Sequence, residues 1–309
     1  MTKLVVVGSS NTDMIIQVPH IPIPGETILG TEFLTAAGGK GANQAVAAAR
    51  IGGDVSLVAC VGADMFGKQA LEGFKTDGIN TDHSRVDCGA PSGVAQILVA
   101  DNGENSIAVA PGANYLLSPK CIQNTGNLLS DASVVLMQLE IPVSTVFESA
   151  RLAHLGGATV ILNPAPACEL PDEIFSFLNI ITPNESEIEH LTGVKITDKT
   201  SMATAASDLH KLGVSVVLLT LGSKGVFLSE KINDEIKNHI FPAFQVMPVD
   251  TTAAGDVFNG CLAVSLAAEN SLVKSIRFAQ AAAALSVQTL GAQTSAPSLD
   301  AVEKFLQEE

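Results

Sequence analysis

The chain has 309 residues and a net charge of −15, and no basic run offsets this charge, so nucleic acid and anionic membrane surfaces would be repelled. Hydrophobic residues make up 47% of the sequence and charged residues 16%, which excludes extensive disorder and supplies a large core. The length fits two small domains or one large α/β unit. An acidic chain still binds a nucleotide where backbone N–H groups, a lysine or a metal supply local positive potential.

The cysteines and the N-terminus indicate the compartment. The cysteines are odd in number and scattered, with no CxxC pair and no metal-ligand spacing, which favours free thiols. They are Cys60, Cys88, Cys121, Cys168 and Cys261. The N-terminus lacks the pattern of a signal peptide, and no apolar stretch reaches membrane-spanning length. The sequence therefore predicts a protein of the reducing cytoplasm.

Short runs rich in Val, Ile and Leu predict strands that are buried on both faces, as in a parallel sheet. These runs are residues 4–7, 55–59, 134–137, 160–162 and 216–219, and residues 244–249 form a further apparent strand. Helices are predicted at residues 43–51, 67–76, 143–154, 202–212, 256–268 and 272–289. This alternation predicts βαβ units in an α/β fold with a mostly parallel sheet.

Two segments break the α/β pattern. Residues 14–35 contain a proline cluster and an alternating apolar stretch, and residues 93–110 indicate two strands around the Asn102-Gly103 turn. Both are predicted to be antiparallel β pieces too short to bury a core of their own. We expect them to form a flap over one edge of the body, with an apolar face covered by the body or by a second subunit.

Residues 62–69 nearly match a phosphate-binding P-loop, but the pattern ends in Gln69. The P-loop uses a Ser or Thr hydroxyl at that position to bind magnesium, so a carboxamide removes the chemical reason for the motif. The segment is predicted to be an ordinary turn between a strand and a helix.

A glycine-rich hexapeptide, Gly38-Gly-Lys-Gly-Ala-Asn43, precedes a helix of small residues. Its glycines allow the backbone to approach a sugar or a phosphate at the start of that helix. The alternative is a flexible loop with an asparagine cap. Lys40 favours binding of an anion or of hydroxyl groups.

The turn Asp250-Thr-Thr-Ala-Ala-Gly-Asp256 leads into the predicted helix 256–268. A carboxylate in the first turn of a helix is often only structural, because the helix dipole favours it. Here, however, Ala253, Ala254 and Gly255 remove side-chain bulk, so backbone N–H groups could hold a phosphoryl group beside the Asp256 carboxylate. The turn therefore predicts an anion hole and a base in one place.

Other polar residues stand at helix starts and after strands. Asn184 and Glu187 form either a helix-capping box or a site that holds hydrated magnesium on nucleotide phosphates. Asn11, Asp13 and Glu140 follow predicted strands, where ligand groups gather in open α/β sheets, although such residues also form simple turns.

Together these motifs resemble the PfkB-type, or ribokinase-like, carbohydrate kinases, from residue 3 to about residue 305. The motifs that carry the resemblance are Asn11-Thr-Asp13, Gly38-Gly-Lys-Gly-Ala-Asn43, Pro183-Asn-Glu-Ser-Glu187, Thr220-Leu-Gly-Ser-Lys-Gly225 and Asp250-Thr-Thr-Ala-Ala-Gly-Asp256. The resemblance implies a single three-layer α/β/α kinase domain over residues 1–309. It also implies that residues 14–35 and 93–110 form a β-sheet lid that makes the contact of a homodimer.

The resemblance also implies roles for the motif residues. Asp256 would be the base for the primary hydroxyl of the sugar, and the backbone N–H groups of residues 253–256 would stabilise the moving phosphoryl group. The sugar hydroxyls would be bound by Asn11, Thr12, Asp13, Gly39, Lys40, Gly41, Asn43 and Glu140. ATP and its Mg²⁺ would be bound by Asn184, Glu187, Thr220, Leu221, Gly222, Ser223, Lys224, Gly225, Gly255 and Gln280. A K⁺ site would use Asp250, Thr252, Ser286, Thr289, Gly291 and Ser295.

The glycine-rich hexapeptide and the Asp256 turn are most similar to those of family members that phosphorylate D-ribose. The implied reaction uses ATP to phosphorylate the 5-hydroxyl of ribose, giving ribose 5-phosphate and ADP. One alternative is a related kinase for deoxyribose, fructose or a nucleoside, and another is a sugar-binding regulator without catalysis. The chain departs from many relatives at Gln280, where they place His or Asn beside the adenine.

Overall fold

The computed structural model describes residues 3–308, in which strands and helices alternate along most of the chain. The strands are β1 (Lys3–Val7), β2 (Asn11–Val18), β3 (Glu32–Gly38), β4 (Asp54–Val58), β5 (Cys60–Gly62), β6 (Arg85–Asp87), β7 (Gly93–Ala100), β8 (Asn105–Ala110), β9 (Val134–Met137), β10 (Thr159–Leu162), β11 (Ile180–Ile181), β12 (Val216–Thr220), β13 (Val226–Ile232) and β14 (Glu235–Phe241). The helices are α1 (Lys40–Arg50), α2 (Met65–Thr76), α3 (Pro119–Gln123), α4 (Val143–Gly156), α5 (Glu185–Thr192), α6 (Lys199–Lys211), α7 (Ala254–Ala267), α8 (Leu272–Ser286) and α9 (Leu299–Glu308).

The main sheet has eight strands within the described range, in the order β14-β13-β12-β11-β10-β9-β1-β4. From β4 to β12 neighbouring strands pair in parallel, whereas β13 and β14 add an antiparallel edge. The predicted mostly parallel sheet is confirmed. The antiparallel edge was not predicted, because β14 is mostly polar and exposed, with no continuous apolar run to mark it.

Strand β1 shows why the layers form. Leu4 and Val6 point to one face of the sheet and pack in a core with α1, α7 and α8. Val5 and Val7 point to the other face and pack in a core with α4 and α6. Each of these buried side chains contributes about 1.5–3 kcal/mol of transfer free energy. The expected three-layer α/β/α architecture is therefore confirmed.

Among the helices of residues 3–308, none has the length and apolarity that crossing a bilayer requires.

The second sheet, which we call the lid, has the strand order β3-β2-β7-β8. Its hairpins β2–β3 and β7–β8 are antiparallel, as predicted, but the pair β2–β7 that joins them is parallel. The lid also extends further than residues 14–35, because β2 begins at Asn11 and β3 runs to Gly38. The polar motif after β1 and the glycine-rich motif before α1 are therefore continuous with lid strands.

The turn at residues 62–69 is closed by the protein itself. The Asp64 side chain caps α2 by accepting a hydrogen bond from the Gly67 N–H at 2.8 Å. It also accepts hydrogen bonds from the backbone N–H and hydroxyl of Ser92, both at 2.7 Å. The amide at the start of α2 is therefore bound by the protein's own carboxylate, in agreement with the interpretation as an ordinary turn.

The predicted strand at residues 244–249 is wrong. Within residues 3–308 this segment pairs with no strand, and it crosses the end of α8 instead. Pro248 has no N–H for a strand ladder, and the Val249 N–H donates to the Val287 carbonyl at 2.7 Å. The ring of Phe244 packs on that of Phe305, with 5.1 Å between centroids. Phe244 therefore anchors an irregular segment, whereas the side chains of Met247 and Val249 are exposed.

Candidate active site

The candidate site lies at the carboxyl-terminal edge of the parallel strands, where chain segments distant in sequence meet. Glu140 follows β9, Asn163 follows β10 and Thr182 follows β11. The starts of α1 and α7 reach the same edge, since Lys40 contacts Glu140 and Asp256 contacts residues of α1. The topology thus brings the separately predicted motifs together.

Asp256 lies in the first turn of α7 and is buried, with 6% of its surface exposed. Its Oδ2 accepts a hydrogen bond from Asn43 Nδ2 at 3.0 Å, and its Oδ1 accepts one from Gln44 Nε2 at 2.9 Å. Burial raises the pKa of this carboxyl group, while the charge of Lys40 and the two amide donors oppose the rise. The carboxylate is held from two sides and keeps lone pairs for another donor.

The contact between α1 and α7 depends on Gly260. A Cβ at this position would lie 2.4 Å from the carbonyl oxygen of Gln44. Only glycine therefore lets the two helices approach closely enough for Asn43 and Gln44 to reach Asp256.

The backbone amides at the start of α7 form an anion-binding geometry. Ala253 precedes the helix in a left-handed conformation with a φ of 58°, which costs a non-glycine residue about 1 kcal/mol or more. Within residues 3–308, the N–H groups of Gly255 and Asp256 have no hydrogen-bond acceptor. A Cβ at Gly255 would meet no atom within 4 Å, so this side of the turn is open. Such amides bind phosphate groups well.

Glu140 fixes the start of α1. Its Oε2 accepts a hydrogen bond from Ser9 Oγ at 2.5 Å and one from the Lys40 backbone N–H at 3.0 Å. Gly39 precedes the helix with a φ of 90°, and a Cβ there would lie 2.7 Å from the backbone nitrogen of Asn11. The structure therefore brings four predicted sugar residues together around one turn.

The electrostatics of this region are set by buried carboxylates around one lysine. Burial acts to lower the pKa of Lys40, but the charges of Asp256, Glu140 and Glu187 outweigh it and raise that pKa. Lys40 therefore stays charged at neutral pH. Burial, with the charges of Glu140 and Asp256, raises the pKa of Asp13 to about 6.

Asn114 was missed by the sequence analysis. Its Nδ2 donates to Asn11 Oδ1 at 2.7 Å, and its Oδ1 accepts from the Ser10 N–H at 2.9 Å. Asn114 thereby orients Asn11, although it belongs to none of the motifs. Its position four residues after the lid strand β8 is a signal that could have marked it in the sequence. Thr12 and Gly41, the other predicted sugar residues, lie on β2 and in the first turn of α1.

A cleft of about 670 Å³ extends from the start of α7 between α8, β12 and the segment 243–248. Seven of the predicted nucleotide residues line it, namely Asn184, Thr220, Gly222, Ser223, Gly225, Gly255 and Gln280. Leu221 instead packs in the core, and Lys224 Nζ lies 3.1 Å from the Glu185 carboxylate. The cleft thus joins the nucleotide motif to the anion-binding amides.

Asn184 and Glu187 form the capping box at the start of α5. The Asn184 backbone N–H donates to Glu187 Oε2 at 2.9 Å, and the Glu187 N–H donates to Asn184 Oδ1 at 2.8 Å. Burial raises the pKa of the Glu187 carboxyl, while the hydrogen bond from Asn184 and the charge of Lys40 oppose this rise.

Within residues 3–308, no group of three or more His, Cys, Asp or Glu side chains has the arrangement of a metal site.

Gln280 lines the cleft, but its amide is engaged with the protein. Its Nε2 donates to the carbonyl of Phe241 at 3.1 Å, and its Oε1 accepts from Arg277 at 3.0 Å. The Arg277 guanidinium also lies 3.9 Å from the centroid of the Phe244 ring. Gln280 therefore anchors the wall of the cleft and presents no free amide to a nucleotide.

Asp250 holds the loop after α8 against the turn before α7. Its Oδ1 accepts from the Thr252 N–H at 2.9 Å and its Oδ2 from the Gly291 N–H at 2.8 Å. Burial acts to raise the pKa of Asp250, but these hydrogen bonds outweigh it and lower that pKa. Ser286 and Ser295 donate their hydroxyls to nearby carbonyls, of Ala283 and Ala292, which leaves their oxygens as acceptors. Thr289 follows Ser286 at the end of α8.

Comparison with known proteins places this geometry in a family. The family model of the pfkB family carbohydrate kinases matches residues 1–299. The chain belongs to this family. The resemblance stated from the motifs is therefore confirmed, and the protein is a kinase that transfers a phosphoryl group to an alcohol.

Relatives in this family match the chain over its whole length. It is 46% identical to the ribokinase of Haemophilus influenzae, over 98% of each chain. The solved structure of Arabidopsis thaliana ribokinase in complex with ribose and ATP superposes with a TM-score of 0.93, covering 99% of both chains at 36% identity. A deoxyribokinase of Salmonella typhi is 35% identical over 98% of each chain.

Proposed function

We propose that this protein transfers the terminal phosphoryl group of Mg·ATP to the 5-hydroxyl of D-ribose, giving ribose 5-phosphate and ADP. The family supplies the reaction class, and relatives that carry the ribokinase name match the chain from end to end. The structural neighbour that contains both ribose and ATP has nearly the same fold over the whole chain.

One observation supports the chemistry most directly: a buried carboxylate adjoins two amides at the start of α7 that have no acceptor among residues 3–308. In the proposed step the 5-hydroxyl oxygen forms a bond to the γ-phosphorus, and the bond from that phosphorus to the β-phosphate oxygen breaks. The hydroxyl proton passes to Asp256. The amides of Gly255 and Asp256 stabilise the negative charge on the transferring group, as preorganised donors do.

The sugar site is proposed at the junction of the lid with α1. Asn11, Thr12 and Asp13 enter it from the lid, and Glu140 enters from β9. Gly39, Lys40, Gly41 and Asn43 complete it. The Asn43 Oδ1 has no donor among residues 3–308, so it is a ready acceptor for a sugar hydroxyl. Amide and carboxylate groups suit a polyol because each binds neighbouring hydroxyls.

ATP is proposed to occupy the cleft, with its phosphates directed to Gly255 and its base against the wall that Gln280 anchors. Both carboxylate oxygens of Glu187 accept hydrogen bonds from Asn184, which hold the carboxylate in place at the start of α5. The pair fits a hydrated Mg²⁺ on the phosphates, which it would hold through water. Mg²⁺ supplies charge neutralisation in phosphoryl transfer.

A K⁺ site is proposed beside the anion hole. The loop anchored by Asp250 offers carboxylate, hydroxyl and carbonyl oxygens, which are the ligands that such a cation requires. It would draw on Asp250, Thr252, Ser286, Thr289, Gly291 and Ser295. The ion would stiffen the turn before α7 without touching the substrate. Turnover should therefore be higher in K⁺ than in Na⁺ at equal ionic strength, and equal rates would count against the site.

A homodimer through the lid is also proposed. Strand β8 is exposed along its whole length, and its Ile107 and Val109 are 55% and 52% exposed. Apolar side chains in such a row need covering. Ile107→Asp should convert dimers into monomers in sedimentation experiments.

A cytoplasmic location is proposed as well, with support from the five free thiols.

Substrate choice is tested by an ADP-release assay with ribose, deoxyribose, fructose and nucleosides. We expect ribose to give the highest kcat/KM. The chain also matches a deoxyribokinase, so a higher kcat/KM for deoxyribose is the main alternative outcome. That result would show that the protein is a deoxyribose kinase. Sugar binding without any ADP release would indicate the non-catalytic regulator.

A further inference from the structure

Gln44 is the second residue that holds Asp256, and the function proposed above gives it no role. Its side chain is fully buried. Its Nε2 donates to Asp256 Oδ1 at 2.9 Å and to Asn163 Oδ1 at 3.0 Å, and its Oε1 accepts from Gln138 Nε2. Every hydrogen-bonding atom of this amide is therefore engaged inside the protein.

The neighbours of Gln44 fix which end of its amide faces the carboxylate. Asn163 Nδ2 donates to the carbonyl of Thr182 at 3.2 Å, so the Asn163 oxygen faces Gln44. Gln138 presents its Nε2 to the Gln44 oxygen, while its own Oε1 lies buried beside Gly8 without a donor among residues 3–308. If the Gln44 amide were rotated, its Oε1 would face the Asp256 carboxylate and its Nε2 would face Gln138 Nε2. Neither contact is a hydrogen bond, so buried polar groups would be left unpaired.

Asn43 provides a contrast on the same helix. It also donates to Asp256, at 3.0 Å, but its oxygen has no donor within residues 3–308 and is available to a sugar. Gln44 has no such free atom. It can influence the reaction only through Asp256.

We propose that Gln44 is a positioning residue that orients the Asp256 carboxylate for proton abstraction. Through Gln138 and Asn163 it ties the base to the ends of β9 and β10, so the rigid main sheet sets the direction of the carboxylate. This inference rests on the proposed function, in which Asp256 is the base.

Charged groups from several elements face Asp256 and set the background of its titration. They are Lys40 from α1, Glu140 after β9, Asp13 from β2 and Glu187 from α5. Removing the Gln44 donor changes none of these groups. It removes one of the two amide hydrogen bonds that favour the ionised form, so the pKa of Asp256 should rise further.

The test is the pH dependence of kcat in Gln44→Met, a variant of similar length without polar hydrogens. We expect kcat at pH 7 to fall about tenfold, as the loss of a hydrogen bond to a charged group implies, and the acid limb of the profile to move to higher pH. The KM values for ribose and ATP should stay within about twofold of the parent values. A kcat within about twofold of the parent at every pH, or a loss explained by KM for ribose, would overturn the proposal.

Gln44→Glu keeps the shape of the side chain and serves if the methionine variant does not fold. Its carboxyl group faces Asp256 Oδ1, so the pair shares a proton and the acid limb should move further than in Gln44→Met. An unchanged limb in Gln44→Glu would equally refute the role.

A double-mutant cycle separates this inference from the proposed function. If Gln44 acts only through Asp256, then Gln44→Met should cause no further loss in an Asp256→Asn background. A further tenfold loss there would contradict the positioning role alone. Full activity of Asp256→Asn by itself would instead contradict the proposed base.

Discussion

Gly260→Ala should lower both stability and turnover, whereas the same change at Gly73 should stabilise the protein. Gly260 is buried within α7, and a Cβ there would lie 2.4 Å from the Gln44 carbonyl oxygen and 3.1 Å from Ala47 Cβ. The first of these atoms belongs to the backbone of α1, so the helix itself must move. Gly73 is exposed within α2, and its Cβ would meet no atom within 4 Å.

The expected magnitudes follow from these contacts. Alanine improves helix propensity over glycine by about 0.5–1 kcal/mol, and at Gly73 this gain stands alone. At Gly260, overpacking costs about 1–3 kcal/mol and outweighs this gain, so the free energy of unfolding should fall by up to about 2.5 kcal/mol. An ordinary contact begins at 3.4 Å, so α1 must move by about 1 Å. A misplacement of that size at the base costs about 10²-fold in turnover.

Urea denaturation gives the free energy of unfolding, and the ADP-release assay gives kcat, for the parent and both variants. The contacts at the two glycines predict opposite signs of the stability change and a loss of kcat only in Gly260→Ala. If Gly260→Ala were as stable and as active as Gly73→Ala, the close packing of α1 on α7 would not be what positions Asp256.

Three further changes have expected outcomes. Asp13→Asn should raise the free energy of unfolding at pH 8, because burial raises the pKa of this carboxyl to about 6 and its ionisation opposes folding as the pH rises through that value. Its KM for ribose should nevertheless rise. Asn114→Leu should raise KM for ribose about tenfold with KM for ATP unchanged, because Asn11 loses its donor. Gln280→Leu should raise KM for ATP alone, because the wall beside Phe241 loses its anchor.

Each of these predictions has an outcome that contradicts it. Urea titrations of Asp13→Asn and the parent should converge below about pH 4, where both states are protonated, and a difference that persists there would have another cause. For the other two variants, steady-state kinetics decide. A change in the KM of the wrong substrate would contradict the assigned contact.

The main sheet was predictable because its central strands are buried on both faces and therefore appear as apolar runs. The same rule failed at residues 244–249, where Phe244 packs on Phe305 of α9 while Met247 and Val249 are exposed. Strand β14 was not predicted for the opposite reason, because an exposed edge strand has no apolar run. An apolar run therefore shows neither that each of its side chains is buried nor which element packs against those that are.

The candidate site was predictable where chemistry is concentrated in short motifs, as in the turn that ends in Asp256. Asn114 and Gln44 were not assigned roles, because each acts through one contact made across the fold. For Gln280 the position was predictable but the contacts were not. The resemblance places this residue beside the cleft, and only the structure shows that its amide is hydrogen-bonded to Phe241 and Arg277.

The central claim is that the Asp256 carboxylate accepts the proton while neighbouring amides hold the migrating phosphoryl group. Its most direct test is kcat for ribose phosphorylation by Asp256→Asn, with ATP and ribose binding measured by calorimetry in the same preparation. We predict that kcat falls by about 10²- to 10⁴-fold while both ligands still bind. Turnover within a few-fold of the parent would contradict the account.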